Sequence, residues 1–413
     1  ALAGIGLGLA CATKYTAGVV LLPFIAAVVA RALQQDDAPE AERTKLLLRT
    51  ALGVALMALL AFAAFFAANP FWLLDYKAFH AELVHQSSLS AEAQGKLGAP
   101  KQGGLAYYLW SLSWGLGWLP ALAALGGALA IWWRRQALGW LLVPAPLLFL
   151  AFMGLQGRYF GRWLMPILPL LCLLAAYFAL QSAVWLAAAI RPRRRAVGLA
   201  SAVVLAALLL TQGLVYSIHS GLVLARADTR NVTRSWMLAH LPHRALIVAE
   251  PISPDGWARE YPGSLPPSEN HGVWLKYPDL LSRISPTDPS KLAQQGFHVV
   301  GIENYVRTLT PALLGYYEQH GYCFVVSGST QSGRAFADPH AVPQAIAYYR
   351  ALAHQGEVVF RSSPYTSGKG PVPFGFDWSF DYYPLAYERP GPAITIYRLR
   401  GGRCTQSRVI LGL

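Results

Sequence analysis

The sequence predicts a polytopic α-helical membrane domain followed by an extracytoplasmic α/β domain. Three observations carry that prediction. Of 413 residues, 54% are apolar and only 13% charged, where a soluble globular domain is usually about a quarter charged. Charge is absent from six long stretches: Tyr15 to Ala30, Ala51 to Leu74, Gln102 to Trp133, Gln136 to Gly157, Trp163 to Ile190 and Ala196 to Ala225. After about Ser220 the composition turns charged, Pro-rich and mixed, which divides the chain into a membrane domain over 1–220 and a soluble domain over 221–413.

Each charge-free stretch supplies the roughly 20 apolar residues that cross a hydrocarbon core, the first only just. A lipid-exposed backbone must satisfy its hydrogen bonds within the segment, so these stretches are helices, about six to seven spans in all. Basic residues set their orientation. Arg31, Arg43, Lys45 and Arg49, then Arg134 and Arg135, then Arg191, Arg193, Arg194 and Arg195 fall on alternate linkers, and that side is cytoplasmic by the positive-inside rule. The opposite linkers are Asn69 to about Leu112 and the turn around Arg158 to Arg162. The last crossing delivers the soluble domain to the outer side of the inner (plasma) membrane. Ala1 to Thr13 is apolar yet too short to span and has no basic n-region, so it reads as the end of a helix begun upstream.

In the soluble domain, Asp228 or Thr229 caps a helix running to about Leu238. The strand Ala245 to Ala249 follows. Further helices are expected at Pro289 to Gln295, Pro311 to His320 and Val342 to His354. Strands are expected at Phe297 to Ile302, Tyr322 to Val326, Glu357 to Phe360 and Ala393 to Leu399. This alternation gives a layered α/β domain with a partly parallel sheet. The loops Glu250 to Tyr277 and Pro364 to Pro392 are rich in Pro, Gly, Trp and Tyr, a composition suited to stacking on sugar rings and equally to a merely aromatic loop. Glu250, Asp255 and Glu260 lie in the first of them and read as solvated acids.

Cys11 and Cys172 fall in apolar stretches, where a lone Cys is usually a small core or lipid-facing residue. Cys323 and Cys404 fall in the exported domain, where oxidising conditions allow a disulfide and the sequence leaves the pairing open. No Cys/His spacing resembles a zinc site, and no GxGxxG, P-loop, G-x-S-x-G or HExxH occurs. The formal net charge of +13 is spent largely on cytoplasmic flanks, which sets nucleic-acid binding aside.

Three groups of residues are candidates for chemistry. Lys14 stands between two apolar runs at an outer boundary, either snorkelling or facing an anionic ligand. Arg158 and Arg162 stand at the outer end of a span, before an aromatic and two prolines, and a guanidinium grips phosphate in a bidentate fork. Arg on the outer side runs against the positive-inside trend and favours a bound anion over plain anchoring. Asp75, in an aromatic segment suited to lie on the bilayer, is either a helix cap or a weak candidate for an acid acting on substrate.

The segments GLACATKYTAGVVLLP, NPFWLLDYKAF, RWLMPILPLL, DTRNVTRSWMLAHLP and GPAITIYRL resemble, in that order, the second half of GT-C type polytopic glycosyltransferases of the dolichyl-phosphate-mannose protein mannosyltransferase and aminoarabinose transferase superfamily. The resemblance implies transfer of a sugar from a polyprenyl-phosphate donor to a glycan, lipid or protein acceptor at the outer face. It matches Lys14 and Arg162 to residues near the lipid phosphate, with Trp163 in place of the commoner Tyr. The family's acidic residues are expected upstream of Ala1, and a metal requirement is left open. The competing classes are a transporter or flippase for a lipid-linked intermediate, which would carry polar groups inside its spans, and a non-catalytic anchor presenting a glycan-binding domain.

Overall fold

The computed structural model describes residues 1–13, 17–18, 21, 24–26, 28, 40–91, 97–98, 103–157, 159–189, 194–242, 245–251, 273–276, 305–375 and 382–410. The chain separates into two compact units. The first comprises Ala1–Gln94 and Lys101–Val215, and the second Gly95–Pro100 and Tyr216–Leu413.

The first unit is helical: α1 (Leu2–Thr13), α2 (Glu40–Ala68), α3 (Phe71–Leu74), α4 (Tyr76–Ala91), α5 (Gly104–Leu112), α6 (Trp118–Arg134), α7 (Gln136–Leu142), α8 (Pro144–Gly154), α9 (Leu168–Ala189) and α10 (Arg194–Leu224), the last ending in the second unit. Among the described residues, four stretches are long and apolar enough to cross a membrane: Leu47–Ala68, Gly104–Arg134, Gly161–Ala189 and Ala196–His240, the last carrying its apolar part in α10. Leu2–Thr13 and Leu138–Gly154 are shorter apolar helices. The second of these is interrupted at Val143, because Pro144 has no N–H to continue the ladder. Most of the stretch Tyr15 to Ala30 lies outside the described residues. Leu52, Phe62, Leu199 and Leu210 are all more than half exposed on these helices, apolar surface suited to a bilayer rather than to water.

Small residues bring the helices together. A side chain at Gly8 of α1 would sit 2.9 Å from Ala64 Cβ and one at Gly4 3.1 Å from Met57 Cα, so a Gly-x-x-x-Gly face presses α1 onto α2. Gly127 does the same between α6 and α9, where a side chain would run into the Leu174 carbonyl. Around it Ala123, Ala124, Ile131, Leu174 and Ala175 form a buried cluster. Because residue 127 meets 174 and residue 134 meets 181, α6 and α9 run parallel.

The second unit is built on a five-stranded mixed sheet of order β2-β1-β3-β5-β4, with β1 Leu246–Ala249, β2 Val273–Lys276, β3 Tyr322–Gly328, β4 Glu357–Ser362 and β5 Ile394–Arg398. β1 pairs in parallel with β2 and β3, and β5 is antiparallel to both β3 and β4. Strand β3 is buried along its whole length, as a central strand covered on both faces should be. Helices α11 (Thr229–His240), α12 (Ala312–His320), α13 (Ser329–Ala337) and α14 (Pro343–Gln355) supply Met237, Leu313, Tyr317, Ala335 and Leu352 to the core, with Ile247, Val325 and Ile396 of the sheet. Asp228 caps α11, accepting from the Arg230 N–H at 2.8 Å.

Two features of this unit depart from the sequence expectation. Val273–Lys276 is a strand inside what reads as the loop Glu250 to Tyr277, where Val273 and Trp274 are good strand formers and the segment pairs with β1. Helix α13 lies where the sequence suggests no element, between β3 and α14. The expected elements at 289–295 and 297–302 lie outside the described residues. Cys323 at the start of β3 and Cys404 in the 3₁₀ turn Gly402–Gln406 are joined in a disulfide, with Cα atoms 5.2 Å apart.

Candidate functional site

The first constellation is at the entrance to α9. Phe160 is extended, and Gly161–Ile167 then forms a 3₁₀ turn rather than α-helix, since Pro166 removes a donor there. The turn buries Leu164 and Ile167 against Tyr107, Tyr108, Phe149 and Met153. Arg162 remains exposed on the turn, its guanidinium 4.6 Å from the centre of the Phe160 ring, within cation–π distance. The Phe160 ring in turn meets Trp163 at 5.2 Å, and Tyr107 and Tyr159 pair at 4.7 Å in the same helical unit. An exposed guanidinium over an aromatic ring at the end of an apolar helix is able to bind a phosphate.

Of the other predicted residues, Lys14 and Arg158 lie outside the described residues. Asp75 is exposed and serves as a helix cap, its Oδ1 accepting from the Ala78 N–H at 3.1 Å at the start of α4.

A polar element also sits inside the spans, where the sequence pointed only to their ends. The stretch Gly104–Arg134 is interrupted by a π turn at Ser113–Gly117, with Gly117 at φ +103°. Gln212 of α10 closes the gap: its Oε1 accepts from the Trp118 N–H at 3.0 Å and its Nε2 donates to the Ser113 carbonyl at 2.9 Å. A wider turn leaves backbone groups unpaired, and an apolar environment makes that costly unless a neighbouring side chain takes them up. Gly115 and Gly117 were the available signal.

The second constellation lies in the other unit and corrects one expectation. Glu250, expected to be solvated, is 1% exposed; Asp255 and Glu260 lie outside the described residues. Glu250 directly follows β1, and its Oε2 accepts from the Gly328 N–H at 2.8 Å and from Ser327 Oγ at 3.0 Å at the end of β3. The chain leaves β1 toward β2 on one side and leaves β3 toward β4 and β5 on the other, so the carboxylate bridges the ends of β1 and β3 at the topological switch point of the sheet. Burial pushes this carboxyl up to about 7, against the lowering effect of the Gly328 N–H and the hydroxyls of Ser327 and Tyr349. The Tyr349 hydroxyl approaches it outside strict hydrogen-bonding geometry. Burial, reinforced by the nearby Glu250 charge, likewise raises the Tyr349 phenol well above its ordinary range. Gln331 of α13 is fully buried nearby in sequence, and its carboxamide has no partner among the described residues.

No group of three His, Cys, Asp or Glu capable of holding a metal occurs among the described residues. Between Glu92 and Asp228 the sequence has no Asp or Glu and 11 Lys and Arg, so the cations of this half must find their counter-ions elsewhere. Comparison with protein-family models, with curated proteins and with solved structures finds no match to this chain.

Proposed function

We propose that this chain works as a glycosyltransferase that moves a sugar from a polyprenyl-phosphate donor to a glycan, lipid or protein acceptor at the outer face of the inner (plasma) membrane. The observation that carries this is Arg162, exposed on the turn Gly161–Ile167 beside Phe160 and Trp163 at the mouth of an apolar helix. The polyprenyl chain lies along the apolar helices, and the guanidinium meets the donor phosphate. As the acceptor hydroxyl oxygen attacks the anomeric carbon, the bond from that carbon to the phosphate oxygen breaks, its electron pair leaves on the phosphate, and the hydroxyl proton passes to water or to the departing phosphate. Arg162 stabilises that charge as it develops, with Lys14 and Arg158 proposed to share the role. Disulfide-bonded Cys323 and Cys404 support an oxidising, extracytoplasmic setting for the second unit, and the basic linkers support the same orientation. The second unit would then face the acceptor.

The Gln212 side chain, a polar group inside the apolar stretches, favours a second reading, a flippase for the lipid-linked intermediate. One experiment separates them. Membranes containing the full-length protein are given radiolabelled polyprenyl-phosphate sugar, and both transfer to acceptor and movement across vesicles are followed. The transferase reading expects Arg162→Ala to insert normally and lose transfer by about 100-fold or more, as removal of a charge-stabilising donor does, while Arg162→Lys retains part of it. Undiminished transfer in Arg162→Ala would refute the phosphate role. Donor translocation without any transfer would favour the flippase.

A further inference from the structure

At the far ends of α6 and α9, roughly 30 Å along the helix from Arg162 by helical rise, a groove of about 410 Å³ opens between the two helices. Leu129 and Phe178 line its apolar part. Its polar end carries Arg134 and Gln181, and Trp133 and Trp185 flank it. These two indoles are 79% and 69% exposed, an arrangement tryptophans adopt where hydrocarbon gives way to headgroups. Arg134 Nη1 donates to Gln181 Oε1 at 3.0 Å, a neutral acceptor that orients the guanidinium and leaves its charge uncompensated. No carboxylate pairs with it among the described residues, and the sequence offers none between Glu92 and Asp228. Arg135 follows directly, and Arg191, Arg193, Arg194 and Arg195 come just after α9 ends, so the deficit of negative charge at this end is large.

We propose that this groove is a binding site for an anionic phospholipid of the surrounding leaflet, its phosphate on the Arg134 guanidinium and an acyl chain along Leu129 and Phe178. Basic pockets between membrane helices recognise lipid headgroups by this combination of charge and apolar wall. A helix from another chain would fill the apolar part equally well but would have to bring its own acid. The bilayer supplies the anion and the chain in one molecule. The site is distinct from the proposed donor site in place and ligand, and it rests on the membrane-embedded reading of the first unit.

The test uses the full chain in vesicles containing brominated phosphatidylglycerol or, at equal mole fraction, brominated phosphatidylcholine, with flotation confirming insertion. The quenching assigned to Trp133 and Trp185 is the difference between the native protein and its Trp133→Phe/Trp185→Phe variant. That quenching is expected to be several-fold stronger with the anionic lipid. Arg134→Gln should abolish the preference and Arg134→Lys should keep most of it. Equal quenching by the two lipids overturns the proposal, as does protection from both, which would mean that protein fills the groove. Failure to float would overturn the membrane reading itself, an outcome separate from either.

Discussion

Replacing Glu250 by Gln should remove a pH dependence from the second unit. The native carboxyl is raised from an ordinary value of 4.5 to about 7 by burial. Because the folded form holds its proton to higher pH than the unfolded form, the stability it contributes is complete below about pH 4.5 and is lost as pH rises through about 7. A shift of about 2.5 units at about 1.36 kcal/mol per unit amounts to about 3 kcal/mol. Gln keeps an oxygen to accept from the Gly328 N–H and the Ser327 hydroxyl but never ionises, so the variant should lack this loss. Asp228 does not interfere: burial opposes its ionisation, yet the Arg230 hydrogen bonds and charge outweigh it and hold it low, so its contribution is lost only as pH falls below the ordinary carboxylate range. The assay is hydrogen exchange of the β3 amides (Tyr322–Gly328) in the full-length protein, corrected for the intrinsic exchange rate. Relative to the native protein, Glu250→Gln should gain about 2.5 kcal/mol of opening free energy between about pH 5 and about pH 8.5, a change of about two powers of ten in protection. A difference between the two proteins that stays constant within about 0.5 kcal/mol over that interval would refute the buried, protonated carboxyl.

The remaining expectations concern packing and covalent ties. Changing Cys323 and Cys404 to Ser opens a bridge with a sequence separation of 81 and should cost about 4 kcal/mol by chain entropy; chemical denaturation of the full chain, with and without reductant, measures it, and a loss under about 1 kcal/mol would contradict the bridge. Gly127→Val forces a side chain against the Leu174 carbonyl and should cost about 1–3 kcal/mol, visible as a lower melting temperature in detergent, while Gly53→Val, where nothing lies within 4 Å, should be nearly silent. Gln212→Leu leaves the Trp118 N–H and the Ser113 carbonyl without their side-chain partner and should cost about 1–2 kcal/mol. A thermal shift in the same detergent reads it, and an unchanged melting temperature would mean that the π turn does not need Gln212.

Local chemistry explains which parts of the fold could be read in advance. Asp228 followed by Thr229 and an apolar stripe is a cap and a helix before any tertiary contact forms, and the runs around Val248, Val325 and Ile396 are strands because β-branched residues there can only be buried. Ser329–Ala337 escaped notice since STQSGRAFA has weak helix propensity and no turn residue separates it from β3; its helicity comes from the packing of Thr330, Gln331 and Ala335. At the candidate sites the same division holds. Arg162 stands out in sequence because a cation among apolar residues has few uses. Glu250 does not, since its burial depends on Ser327 and Gly328, more than 75 residues further along the chain, arriving at the end of a neighbouring strand. The Gly-x-x-x-Gly of α1 was readable and carries its meaning only once α2 is known to lie against it.

The seal at the π turn has a consequence for biogenesis. Gln212 is 94 residues downstream of Trp118 and 99 downstream of Ser113, and a ribosome adding about 5–20 residues per second needs about 5–20 s to make that distance. For this interval the segment Gly104–Arg134 exists without its partner. An uninterrupted α-helix is the form in which it can satisfy its own backbone meanwhile, so the wider turn at Ser113–Gly117 is a late event, imposed when residue 212 reaches it. Truncation between Trp118 and Gln212 would therefore leave a straighter helix than the finished protein contains, and any chaperone or insertase attending the nascent chain meets that earlier shape.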